Sequence, residues 1–175
     1  HGSIVPVNLT TASAFKLLAC AQQLEEVIVV DGRYSFEELD FEFVAHIQQL
    51  VIVAQPTVPS LFGLRRILDQ LIERGCLTQT FIVINRMLPN VKEFSTQAIE
   101  NVLNVPKVFP VANDWRSFQA AENGGTTVRK AVPHCQAAQQ IDNLARAILG
   151  MPELAPQSRW SLVDSWRHLT HAFSN

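Results

Sequence analysis

Four short apolar runs constrain this chain more than anything else in it. Residues 27–30 read Val-Ile-Val-Val, 50–54 Leu-Val-Ile-Val-Ala, 81–84 Phe-Ile-Val-Ile and 108–111 Val-Phe-Pro-Val. Unbroken runs of this kind suit strands covered on both faces, as in a parallel sheet. Segments of helical length separate them, so strand and helix alternate along the chain. The pattern predicts an α/β fold: a doubly wound, mostly parallel sheet with strands near 27–31, 50–54, 80–85 and 107–111 and helices on both faces.

The helices are read from their apolar spacing. Residues 12–24 carry Phe15, Leu18, Ala19 and Gln22 at helical intervals, with Ser13 as the expected cap. Residues 39–47 read as a short helix, and Pro56 and Pro59 then punctuate a loop. The clearest helix is 60–74, where Leu61, Leu64, Ile67, Leu68, Leu71 and Ile72 make one stripe and Gly75 ends it. Further helices are expected at 96–103, at 118–122 before Asn123-Gly124-Gly125, and at 136–149 before Gly150. Residues 4–150 thus form one α/β domain, and 151–175 a linker with Pro152 and Pro156 followed by an amphipathic segment at 158–173.

Composition narrows the function classes. A chain of 175 residues with 47% hydrophobic content can bury a sizeable core. Its 14 basic and 16 acidic residues leave a formal charge of -2, which gives no reason to expect nucleic acid. The run 50–54 is far too short to span a bilayer, and no charged-then-apolar leader is visible. Cys20, Cys76 and Cys135 are odd in number and far apart, which fits reduced thiols in a cytoplasmic protein. His1-Gly2-Ser3 reads as an expression remnant.

Few residues point to chemistry. Asp31 stands at the carboxyl end of an expected strand, the edge where doubly wound sheets bind ligands. There a carboxylate organises a magnesium ion through water; the plainer alternative is a cap on the turn at Gly32. Asn85 follows the third strand, and its amide offers a donor and an acceptor in one plane, matching the edge of an adenine ring. Alone, an Asn there is a common turn residue. The loop Val111, Ala112, Asn113, Asp114 falls on the same sheet edge, where its backbone reads the other side of a base. His168 and His171 lie i, i+3 with no third ligand nearby, so solvated histidines are the better reading. In the tail, Trp160, Val163, Trp166, Leu169 and Phe173 share a helical side, but basic residues are few and Asp164 interrupts them. Packing on the domain or on a partner subunit is therefore favoured over membrane contact.

Taken in order, these segments resemble the second half of a MinD/ParA-type P-loop ATPase. Val27-Ile-Val-Val-Asp31 is similar to the Walker B strand, and 50–61 with Arg65-Arg66-Ile-Leu68 to the next strand, loop and helix. Val83-Ile-Asn85-Arg86, Phe109 to Asp114, and Ala121-Glu-Asn-Gly124 complete the order. Within that superfamily the chain is most similar to the CpaE/TadZ group of Flp (Tad) pilus-assembly ATPases, over roughly residues 15–150.

The resemblance implies ATP and magnesium as the family's ligands. It assigns Asp31 to the magnesium-side carboxylate, Asn85 to adenine contact, Arg86 to the flank of that pocket, and Val111, Ala112, Asn113 and Asp114 to the wall of the base. Two departures bear on activity. Gly32-Arg33-Tyr34 stands where the family usually has prolines, and no Gly-x-x-x-x-Gly-Lys-Ser/Thr phosphate loop occurs in this sequence. Catalysis in such proteins depends on that loop, so this chain alone is expected neither to hydrolyse ATP nor to hold it tightly.

The implied role is a positioning module of a pilus-assembly machine, truncated or degenerate. It would be cytoplasmic, at the cell pole or inner-membrane face, with pilus-assembly or secretion components as partners. A homodimer independent of nucleotide is expected, held by a sheet edge or by 158–173. Two alternatives stand beside it: a receiver-like signalling domain with Asp31 as phosphoacceptor, and a stand-alone small-molecule α/β domain.

Overall fold

The computed structural model describes residues 10–32, 44, 46–75, 79–89 and 91–154. In chain order they form α1 (Thr11–Ala21), β1 (Gln49–Ala54), α2 (Val58–Glu73), β2 (Gln79–Met87), a 3-10 turn (Lys92–Phe94) and α3 (Thr96–Leu103). Then follow β3 (Phe109–Ala112), α4 (Trp115–Asn123), α5 (Val128–Ala131) and α6 (Gln136–Ile148). The strands make a parallel three-stranded sheet in the order β1-β2-β3, giving an α/β, Rossmann-like architecture. The chain divides into two compact units, one of His1–Leu50 with Ile67–Gln79 and one of Val51–Arg66 with Thr80–Asn175. Among the described residues no helix is long and apolar enough to cross a membrane.

In the first unit α1 is capped by Thr10, whose side-chain oxygen accepts from the Ser13 amide at 3.3 Å. The cap is therefore Thr10 and not Ser13, because the hydroxyl must precede the helix to meet its orphan amides. Phe15 packs against His46 with ring centroids 4.8 Å apart. The strand expected at 27–31 is absent: these residues have no regular structure, and Val29 is 88% exposed. A β-branched run fits a pleated, half-buried surface and is not a strand by itself; among the described residues no neighbouring strand pairs with it. The helix expected at 39–47 falls largely outside the described residues, as does the segment 158–173.

The second unit holds most of the sheet. Ile82, Val83 and Ile84 of β2 are buried in succession, as a central strand covered on both faces requires. On β1, in contrast, Ile52 and Ala54 are buried while Val51 and Val53 are exposed. Helix α2 is shared, its first half in this unit and Ile67 onward in the first; Leu61, Leu64, Ile67, Leu68 and Leu71 are buried, but Ile72 is not. One residue beyond Leu71 is a 100° step, which carries Ile72 off the stripe. The helix ends at Glu73, just before Gly75, whose φ of 65° glycine adopts at no steric cost.

Side-chain hydrogen bonds tie the later elements together. Ser95 caps α3, and Asn104 closes it at a φ of 54°. Arg65 then donates to the Leu103 carbonyl at 2.9 Å, satisfying an orphan acceptor of that helix end. Val83, Val111 and Ala137 form one core cluster, with Phe109, Ile141 and Leu144 against it. Ala121, Val128 and Ala138 form another. Ala137 and Ala138 are almost wholly buried, so small side chains set the close approach of α6 to β3 and α5. After α6 the chain stays anchored: Lys107 pairs with Glu153, and the Leu154 amide donates to Asn143 Oδ1 at 3.1 Å.

Candidate functional site

The site begins with an irregularity in β2. Ile84 pairs with Pro110 and Met87 with Ala112, so Asn85 and Arg86 together face the single residue Val111. This is a β-bulge, a device that re-aims side chains at strand ends. Arg86 takes up the geometry at a φ of 61°, the left-handed region that a side chain disfavours. Asn85 holds the turn from within: its Oδ1 accepts from the Arg86 amide at 2.8 Å. With the oxygen engaged, Asn85 presents its Nδ2 donor outward from that bond.

The loop after β3 is equally committed. The Ala112 amide donates to Gln140 Oε1 at 2.8 Å, the Asn113 amide to the Met87 carbonyl at 2.9 Å, and the Asp114 amide to the Ala112 carbonyl at 3.0 Å. Three successive N–H groups are thus closed; the Ala112 carbonyl already accepts from the Asp114 amide and the Asp114 carbonyl from the Phe118 amide, so the backbone acceptor left to a ligand on this stretch is chiefly the Asn113 carbonyl. Asp114 caps α4, accepting from the Ser117 amide at 3.2 Å and from Ser117 Oγ at 2.6 Å. The Ser117 hydroxyl and amide hold the Asp114 carboxyl below its ordinary value of 3.8, with smaller help from the Cys135 thiol and the Arg116 charge and some opposition from burial.

Asn85, Arg86, Ala112, Asn113 and Asp114 line one cleft of about 830 Å³. Five of the residues singled out in the sequence are therefore brought together. Val111 is not among them: its side chain lies in the core beneath, against Val83 and Ala137. Asp31 belongs to the other unit, on exposed backbone without strand structure. The receiver reading needed an Asp at a strand end, and residues 27–31 make no strand.

Trp115 and Phe118 of α4 and Thr126 and Thr127 before α5 also line the cleft, and none of them was singled out in the sequence. An aromatic directly after Asn113-Asp114 was the available signal. Trp115 is 59% exposed, and the Arg116 guanidinium carbon lies 5.7 Å from its ring centroid. An exposed ring, an amide donor and a carbonyl acceptor suit a flat heteroaromatic group with a donor and an acceptor on one edge. Among the described residues no three His, Cys, Asp or Glu side chains cluster as metal ligands.

No protein-family model matches this chain, and no curated protein matches its sequence. Solved structures do match in fold. A ParA family ATPase from Chlorobium tepidum superposes with a TM-score of 0.68 at 22% identity, over 81% of this chain and 57% of its own. The MinC:MinD cell division complex of Aquifex aeolicus gives 0.70 at 18% identity, over 90% and 65%. MinD from Pyrococcus horikoshii complexed with Mg-ADP gives 0.60 at 17%, over 76% and 55%. The chain has the fold of MinD/ParA ATPases and spans between 55% and 65% of the length of these three.

Proposed function

We propose that the cleft beside the β2 bulge is the base-side half of an adenine-nucleotide site. The supporting observation is the hydrogen-bond count around it. With the amides of residues 112–114 closed and Asn85 Oδ1 engaged, the site offers the Asn113 carbonyl as acceptor and the Asn85 amide as donor. Adenine complements that set with its exocyclic amine and a ring nitrogen; guanine would bring its O6 acceptor against carbonyl oxygen. The fold neighbour that carries Mg-ADP supports the same ligand class. In this reading the chain is a CpaE/TadZ-like positioning protein of pilus assembly. It acts as a homodimer on the cytoplasmic side and meets pilus-assembly or secretion components, as the MinC:MinD neighbour meets a protein partner.

Phosphate grip in P-loop sites comes from backbone amides and a lysine, and that motif does not occur in this sequence. Calorimetry should therefore give adenosine and Mg-ATP similar, weak affinities near 1 mM, about -4 kcal/mol. Asn85→Ala should remove both signals. Micromolar Mg-ATP binding, or weak binding indifferent to Asn85→Ala, would contradict the assignment.

A further inference from the structure

Aromatic side chains gain more from burial than most, each covering about 150–250 Å² when packed. Helix α4 leaves two of them open. Trp115 is 59% exposed and Phe118 38%, and at a spacing of three residues they share one face of the helix. Gln119 and Glu122 continue that face at i+4 and i+7, and all four residues line the cleft. The open stripe of α4 is therefore cleft wall.

The backbone beneath Trp115 is fixed. It is the first residue of α4, directly after the Asp114 cap. The Asp114 carboxylate holds the Ser117 amide and hydroxyl, and its carbonyl accepts from the Phe118 amide at 3.2 Å. The indole thus enters the cleft from a closed turn, which leaves little backbone order to be lost on binding. The Arg116 guanidinium carbon lies 5.7 Å from the ring centroid, and Arg116 itself is not part of the cleft lining.

We propose that Trp115 is the stacking platform for the base, an inference that rests on the adenine-nucleotide reading of the cleft. The groups around it divide the work. The Asn85 amide and the Asn113 carbonyl meet the edge of a base and decide which base is held. They leave its faces to be covered, and the aromatic side chains lining the cleft are Trp115 and Phe118. Trp115 is the larger ring and the more open one. Every base has a π-face, so stacking supplies affinity without choosing among bases. With no phosphate-loop motif in the sequence, contact with the face carries a large share of the grip on a nucleoside.

Adenosine titrated into the 15N-labelled full chain and into two variants tests this. Trp115→Leu keeps apolar bulk but loses the π-face, and should weaken adenosine binding about fivefold or more. Trp115→Phe keeps a π-face and should retain most of the affinity. Because Trp115 is largely exposed, both variants should keep the wild-type unfolding midpoint. With the wild-type chain the adenosine H2 and H8 resonances should move upfield on binding, the ring-current mark of a stacked base; with Trp115→Leu they should not. Saturable shifts at residues 85–86 and 112–114 without that upfield movement, or with equal affinity in Trp115→Leu, would overturn the platform and leave the adenine reading standing. So would equal losses in both variants, which would point to the indole N–H instead of the ring face. A wild-type chain with no saturable shifts at those residues would overturn the adenine reading, and the platform with it.

Discussion

Arg86 holds a backbone conformation that a side-chain-bearing residue adopts at a cost of about 1–2 kcal/mol. It does so at the one point where β2 departs from its register, beside the cleft. Strained residues cluster at ligand sites, and this one supports the proposed cleft. Asp114, in contrast, works for the fold as well as for the cleft wall. Its carboxylate caps α4, and the two Ser117 donors keep it ionised below the usual range. A carboxylate lowered in this way contributes stability that is complete above its unfolded value and is lost as the pH falls through the native one. Asp114→Ala should therefore cost about 1 kcal/mol at neutral pH. Urea midpoints should show the gap to wild type closing only below pH 3.8. Asp114→Asn, which keeps a cap acceptor, should lose the pH dependence and little else.

Among the elements, α6 holds the loop after β3 in place. Gln140 reaches from α6 to the Ala112 amide, and that amide is partly buried. Gln140→Leu leaves the donor without a partner, which should cost about 1–3 kcal/mol in denaturant unfolding. Gln140→Glu, still an acceptor, should lose less. If both variants behaved alike, the bond would carry no weight in the fold.

What the sequence made legible follows the same division between local and non-local causes. Helix α3 was readable to the residue because its limits are written locally, in the Ser95 cap and the left-handed Asn104. The buried run of β2 was readable because a central strand repeats its environment on both faces. Residues 27–30 carry the same signal and form no strand, since pairing depends on a neighbour that composition does not reveal. The first turn of α4 went unread, Trp115-Arg116-Ser117 having no apolar period, although Asp114 was the cap that announces it. The bulge at Asn85 and Arg86 depends on register with β3, so the residues were legible and their geometry was not.

For the molecule as a whole, fold and function rest on different supports. The fold is that of MinD/ParA ATPases, matched at TM-scores of 0.60 to 0.70 with identities of 17% to 22%. The proposed function rests on the cleft, where a strained bulge, a loop with its amides closed and an exposed indole meet. Adenosine titrated into the 15N-labelled chain tests that claim most directly, because it reads every amide without requiring tight binding. The account predicts saturable shift changes centred on residues 85–86, 112–115 and 126–128, with guanosine producing markedly smaller ones. Shifts centred elsewhere, or equal responses to the two nucleosides, would contradict it.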